Sequence, residues 1–303
     1  DCGWGYGIQS IVTHYITAYG TDEQKARWLP GLASGQIVGA IAMTEPNTGS
    51  DLQAVRTRAE KQGDEYVING SKTFISGGMG ADWFTTGVRT GDEGAGGISV
   101  LVIPADLEGV SRTPLDRKQG WWCSDTATIY FDNVKVPVNR RLGGEGEGWK
   151  VAMATAGFER GLMLRSPARF QETAKRLVEL YQANRERADR DPAVRDAVIK
   201  AYLEAESYCL STYQTACRLI KGGKIGAESS TNKIFWSELD RNMHATAMAI
   251  LGARAELEPH APDAQGVGTW LDGWLFAQSG PIYAGTNEVQ RNIIAERMLG
   301  MPR

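Results

Sequence analysis

The sequence predicts an α+β protein in which helices, strands and helices follow one another in separate blocks: a partial N-terminal helical segment (1–35), a central antiparallel β domain (36–142) and a C-terminal helical bundle (143–303). Apolar residues recur at helical spacing at both ends of the chain. The middle is instead a series of short β-branched stretches broken by glycine. The two rhythms are segregated rather than alternating, which excludes a βαβ architecture.

The first block opens with "IQSIVTHYITAYG", where Ile8, Ile11, Val12, Tyr15 and Ile16 fall on one helical face. A second helix is predicted in "GTDEQKARWLPGL", with Thr21 as N-cap and two acids directly after it. From residue 36 the predicted strands lie in "IVGAIAMT", "DEYVINGSKTFISGG", "DWFTTGV", "GISVLVIP" and "TATIYFDNVKVP". Glycines between Asp92 and Gly97 mark a turn or mobile hairpin tip, because they adopt positive φ at little cost. After "GGEGEGW" the glycines thin out, and helical periodicity runs from 148 to 300.

Composition narrows the function. A chain of 303 residues with 42% hydrophobic residues can bury a substantial core. Its net charge of −3, with both signs interspersed, provides neither a basic field for nucleic acid nor a polybasic stripe for lipid. Cysteines at 2, 123, 209 and 217 and histidines at 14, 244 and 260 form no metal-ligand or disulfide spacing, so no metal site is expected. No apolar run reaches the roughly eighteen residues of a membrane span, and the expectation is a soluble, cytoplasmic protein whose partners are small molecules or proteins.

Three stretches invite functional readings that we set aside. "GGEGEG" at 143–148 lacks the surrounding βαβ unit of a phosphate loop and reads as a linker. "RERADRDPAVRDAVIK" reads as a solvated helix start, and the Trp121–Trp122 pair as core. Three others are more informative. "MTEPNTGSDL" at 43–52 follows an apolar strand with hydroxyls and backbone N–H groups suited to a polar planar ligand. "GSKTFISGG" at 70–78 has the same character with an aromatic added. "PIYAGTNEVQRNIIAERMLG" places Gly-Thr-Asn at a helix start, where free N–H groups favour anionic or carbonyl oxygens. A fourth feature is one carboxylate, Glu159, set among the apolar and small residues of "MATAGFERGLMLR".

Taken in order, "TEPNTGSD", "NGSKTFISGG", "FDNVKVP", "LGGEGEGW" and "IYAGTNEVQRNIIAERMLG" closely resemble the acyl-CoA dehydrogenase family, over about residues 3 to 303. The chain is similar above all to the bacterial branch ending in tails like "IIAERMLGMPR". The resemblance implies FAD bound between subunits of a homodimer or homotetramer, oxidation of an acyl-CoA thioester to its trans-2-enoyl form in β-oxidation, and an electron-transfer flavoprotein as acceptor. It places flavin contacts on Met43, Thr44 and Ser50, on Phe74, Ile75 and Ser76, and on Gly285, Thr286 and Asn287. Acyl-CoA contacts fall on Ser50, Phe158 and Arg160. The family's N-terminal helices are mostly absent from this chain, which leaves acyl length and branching unspecified.

Departures from the family pattern matter as much. Many members carry glutamate before the final Gly-Thr, where this chain has Ala284; in others the base lies on the helix after the β domain, before an arginine, and Glu159-Arg160 matches that pattern. The expected mechanism has Glu159 taking the α-proton while hydride leaves the β-carbon for the flavin. The Ala284 backbone N–H holds the thioester oxygen. The family's Arg-x-x-Phe-Gly segment is replaced by "NRERADRDPAVRD", and its Gln-x-x-Gly-Gly is reduced to "AILGAR", leaving Gly252 as the one candidate there. Two alternatives stay open: a flavin monooxygenase on the same fold, and a non-catalytic or partner-dependent subunit of a hetero-oligomer.

Overall fold

The computed structural model describes residues 4–154, 166–223, 225–258, 261–264 and 268–302. Helix α1 (Trp4–Tyr19) buries Val12, Tyr15 and Ile16, the face predicted from spacing. Helix α2 (Asp22–Ser34) begins with a reciprocal cap: the Gln24 N–H donates to Thr21 Oγ1 at 3.2 Å and the Thr21 N–H to Gln24 Oε1 at 2.9 Å. It stops at Gly35, whose φ of 74° suits the left-handed end of a helix.

An eight-stranded sheet follows. Its strands are β1 (Gly39–Ala42), β2 (Arg58–Gln62), β3 (Glu65–Ser76), β4 (Trp83–Arg89), β5 (Ile98–Pro104), β6 (Val110–Pro114), β7 (Thr126–Pro137) and β8 (Arg141–Leu142). The order is β6-β7-β3-β2-β4-β5-β8, with β1 laid parallel on β4. Pairing is otherwise antiparallel except for the β2–β4 contact at Arg58 and Arg89. Strands β2 and β6 escaped the sequence reading because they carry almost no apolar signal: β2 buries Ala59 alone, and β6 buries no residue.

Strands β4 and β5 are covered on both faces, hence their nearly unbroken apolar sequence. Val100, Val102 and Trp83 pack against α1 and α2 with Trp28, while Phe84, Leu101 and Ile103 join Tyr66, Ile68, Ile129 and Val134 in the sheet's other core.

Two readings are corrected here. Trp122 is 67% exposed and Trp121 only half-buried, at φ 61°, so the pair is not core. The segment 143–148 is no slack linker either. The Gly146 N–H donates to Ser99 Oγ at 3.0 Å, Glu145 accepts from Arg141 and the Tyr66 hydroxyl, and Gly148 lies so close to the Ile98–Ser99 backbone that a Cβ would fall 2.6 Å from the Ser99 Cα. The described part of the next helix, α3, spans 148–154.

The chain divides into two compact units, Asp1–Phe158 and Glu159–Arg303. The second is built from α4 (Pro167–Ala183), α5 (Arg185–Ala188), α6 (Pro192–Ile220), α7 (Ser229–Leu251), α8 (Gly268–Ala277) and α9 (Asn287–Arg297). Phe170, Leu177, Tyr208, Trp236, Met243, Ile250 and Trp270 form its core. The start of α6 is solvated as predicted, with Asp191 accepting from the Ala193 N–H at 2.9 Å and Pro192 in the first turn. Among the described residues no helix is long and apolar enough to cross a membrane.

Candidate active site

In the first unit, the loop after β1 is fastened by a buried ion pair. Lys72 is wholly inaccessible, and its Nζ donates to Glu45 Oε1 at 2.8 Å and to the Met43 carbonyl at 3.0 Å. Glu45 also accepts the Arg56 N–H at 2.7 Å and the Thr57 N–H at 2.9 Å. Burial alone would raise the Glu45 carboxyl, but the Lys72 charge and these donors outweigh it and hold the group below its ordinary value. Burial drives the Lys72 ammonium down to about 8, against the opposing pull of Glu45.

What the pair leaves outward is the polar part of the loop. Ser50 is exposed and Thr44 half-buried, beside exposed Asn47 and Gly49. Phe74 lies two residues beyond Lys72, at an irregularity in the β3–β7 register, with φ 59° and 69% of its surface exposed. A left-handed, bulky, exposed aromatic costs backbone energy and makes no core. Ile75 points the other way, into the sheet core, which leaves only its backbone for a ligand. Ser76 is half-buried at the strand end.

The turn at 92–97 proves to be fastened too. Buried Arg89 donates to the carbonyls of Val55, Asp92 and Gly94 at 3.2, 2.7 and 2.7 Å, which joins that turn to the end of the 43–55 loop.

The second unit contributes the turn before α9. Thr286 caps the helix, accepting the Val289 N–H at 3.2 Å. Ala284 is exposed with φ 54°, a conformation costing a non-glycine residue about 1–2 kcal/mol. Gly285 follows at φ 81°, where a Cβ would meet Gln290 Nε2 at 2.6 Å. Among the described residues none accepts from the Ala284 or Gly285 N–H. Asn287 differs from expectation: it is buried, its Oδ1 accepting from Lys233 Nζ at 2.8 Å and Ser237 Oγ at 3.2 Å, and its own N–H donating to the Pro281 carbonyl at 2.9 Å. Its side chain holds the turn from within, the Nδ2 also lying 3.1 Å from Ser237 Oγ.

The φ of Gly252 is 55°, and the space where a side chain would stand is filled by Arg187, whose Nη2 lies 2.8 Å from an ideal Cβ and whose guanidinium donates to the Ile250 carbonyl. Phe158, Glu159 and Arg160 lie outside the described residues.

Lys72, Glu45, Arg89, Lys233 and Gln290 were missed by the sequence reading. For Lys72 a signal existed: Tyr66, Ile68 and Lys72 share one parity along β3, so period two alone puts the lysine on the buried face.

The described residues thus hold a β sheet with helices before and after it, a strained exposed aromatic in the first unit and a helix-start turn with unengaged backbone N–H groups in the second. Three family models match in sequence: the acyl-CoA dehydrogenase N-terminal domain over residues 1–36, the middle domain over 40–134 and the C-terminal domain over 146–299. The chain belongs to the acyl-CoA dehydrogenase family, and is an FAD-dependent oxidoreductase. It is similar to acyl-CoA dehydrogenase IpdE1 of Mycobacterium tuberculosis, 34% identical over 95% of this chain and 73% of that one. Among solved structures it resembles the "Tcur3481-Tcur3483 steroid ACAD", with a TM-score of 0.88 and 32% identity over 97% of this chain and 76% of the other. It also resembles the ChsE4-ChsE5 complex from Mycobacterium tuberculosis, with a TM-score of 0.86 and 35% identity over 96% and 76%.

Proposed function

We propose that this chain oxidises an acyl-CoA thioester to the trans-2-enoyl-CoA and passes the electrons to an electron-transfer flavoprotein. The observation that carries the reading is the Ala284 turn. A strained alanine with an uncommitted N–H stands where many relatives place their glutamate, so the turn keeps an oxyanion donor while the carboxylate is gone. Bound FAD supplies the acceptor for the two electrons. Glu159 removes the α-proton, its basicity strengthened by apolar sequence neighbours such as Phe158, Leu162 and Met163. The Ala284 N–H takes the charge that grows on the thioester oxygen. The flavin contacts are Thr44, Ser50, Phe74 and Ser76 in the first unit, with Ile75 behind them, and Gly285 and Thr286 in the second unit, with Asn287 behind them. Ser50, Phe158 and Arg160 meet the acyl-CoA. The related "steroid ACAD" makes a steroid-bearing acyl thioester the first substrate class to test.

The test is anaerobic titration of the yellow protein with acyl-CoA thioesters of increasing bulk. Glu159→Gln should retain the flavin and lose about 10² to 10⁴ in its rate of reduction. Adding Ala284→Glu should restore part of that rate. A near-parent rate in Glu159→Gln would refute the base assignment.

A second reading is favoured by the segment 184–196. The family's Arg-x-x-Phe-Gly stretch, which reaches the partner's FAD, is replaced there by "NRERADRDPAVRD", and Arg187 within it is engaged by its own chain at the Ile250 carbonyl. That supports an assembly of unlike subunits, as in the two-component relatives, over a homodimer or homotetramer. A purified chain that sediments as an FAD-loaded homo-oligomer would overturn it.

A further inference from the structure

We propose that the Lys72–Glu45 pair is the positioning device of the flavin site, aiming the Thr44 backbone N–H at the ligand and setting Phe74 against the same loop. The inference rests on the flavin reading of that loop and goes beyond it. The pair joins three stretches that are distant in sequence: Lys72 Nζ reaches Met43 and Glu45, and Glu45 in turn holds Arg56 and Thr57.

A trans peptide is planar, with its C=O and N–H pointing in opposite directions. Lys72 pulls the Met43 carbonyl inward, so the N–H of the same peptide, carried by Thr44, points away from the lysine. Among the described residues none accepts from it. The next peptide is fixed as well, because the Thr44 carbonyl accepts the Thr73 N–H at 2.9 Å and the Glu45 N–H donates to the Thr48 carbonyl at 2.8 Å. Thr73 is the residue directly before Phe74, so loop and ring are held by the same few bonds.

Stability alone does not account for a charged pair here. A buried ion pair is often no better than apolar residues of equal volume, whereas its directional bonds select one arrangement of the backbone. An apolar pair would fill the space under the loop equally well and leave the Met43 peptide free to turn.

The experiment compares Lys72→Met/Glu45→Leu with Glu45→Gln and Phe74→Ala, in the enzyme together with any partner subunit it needs. The dissociation constant of FAD, the visible flavin spectrum and the thermal melt of the flavin-free protein are measured. In the double variant, FAD should bind about tenfold more weakly, the loss of one well-aimed hydrogen bond, and the flavin band should shift. Its melt should remain cooperative. Glu45→Gln, which keeps the volume and the backbone acceptor, should weaken FAD in the same direction; should the double variant fail to fold, this variant decides alone. Parent-like affinity and spectrum in the pair variants, with weaker FAD in Phe74→Ala, would make the pair purely structural and overturn the inference. If Phe74→Ala also binds FAD like the parent, the flavin reading of this loop is what fails.

Discussion

Two buried lysines lie under the two candidate flavin segments, and they are neutralised differently. Lys72 in the β unit meets a carboxylate, itself held by two backbone N–H groups. Lys233 in the helical unit donates to the amide oxygen of Asn287 and lies 6.0 Å from the ring centre of Trp236. The first segment is therefore fastened by charge, the second by an amide and an aromatic face. A charge lock is unforgiving when one half is removed. An amide lock loses only a neutral acceptor when Asn287 is removed, so the change in charge balance is smaller.

The strongest test of that difference is Lys72→Met. It strands the Glu45 carboxylate and should destabilise the first unit by about 3–5 kcal/mol, while Lys72→Met/Glu45→Leu should recover part of the loss, the Met43 carbonyl and the Arg56 and Thr57 N–H groups still lacking these partners. Chemical denaturation of the three proteins measures it, and equal losses in the single and double variants would remove the charge from the explanation.

Acid gives a second test. The native Glu45 carboxyl titrates below its ordinary 4.5, so its contribution is complete above that value and is lost as pH falls through the native one. Melts between about pH 6 and 3 should show a steeper loss for the parent than for the double variant. Parallel acid limbs would contradict the assignment.

In the other unit, Asn287→Ala should cost less, about 1–3 kcal/mol, by removing the acceptor that Lys233 Nζ and Ser237 Oγ share, and the size of the loss relative to the parent should not change across the same acid range. The smallest effect belongs to Ala284→Gly. Relief of a left-handed alanine, about 1–2 kcal/mol, is offset by the glycine's greater freedom when unfolded, about 0.5–1 kcal/mol. Thermal melts should move upward by no more than a few degrees.

The same contrast explains what could be read from the sequence. Blocks of helix and strand, the Thr21 cap and the helix start at Thr286 are local features, written in spacing and in capping residue types. Strand β2 is held by its neighbours β3 and β4 rather than by its own composition, and so left no mark. The candidate loops were readable as polar segments rich in hydroxyls and backbone N–H groups. Their fastenings were not, because Glu45 and Lys72 stand 27 positions apart and Lys233 and Asn287 stand 54 apart. Nor do spacing and residue type show that Asn287 holds Lys233 or that Arg187 stands against Gly252.

Full burial of Lys72 also makes it an internal clock for the loop above it. Amine-acylating reagents reach surface lysines such as Lys61 and Lys135 at once, whereas Lys72 becomes reactive only when the loop lifts away. The rate at which Lys72 acquires a label, followed by peptide mass, therefore reports the opening of the loop. Flavin that braces the loop would slow that labelling in proportion to its occupancy.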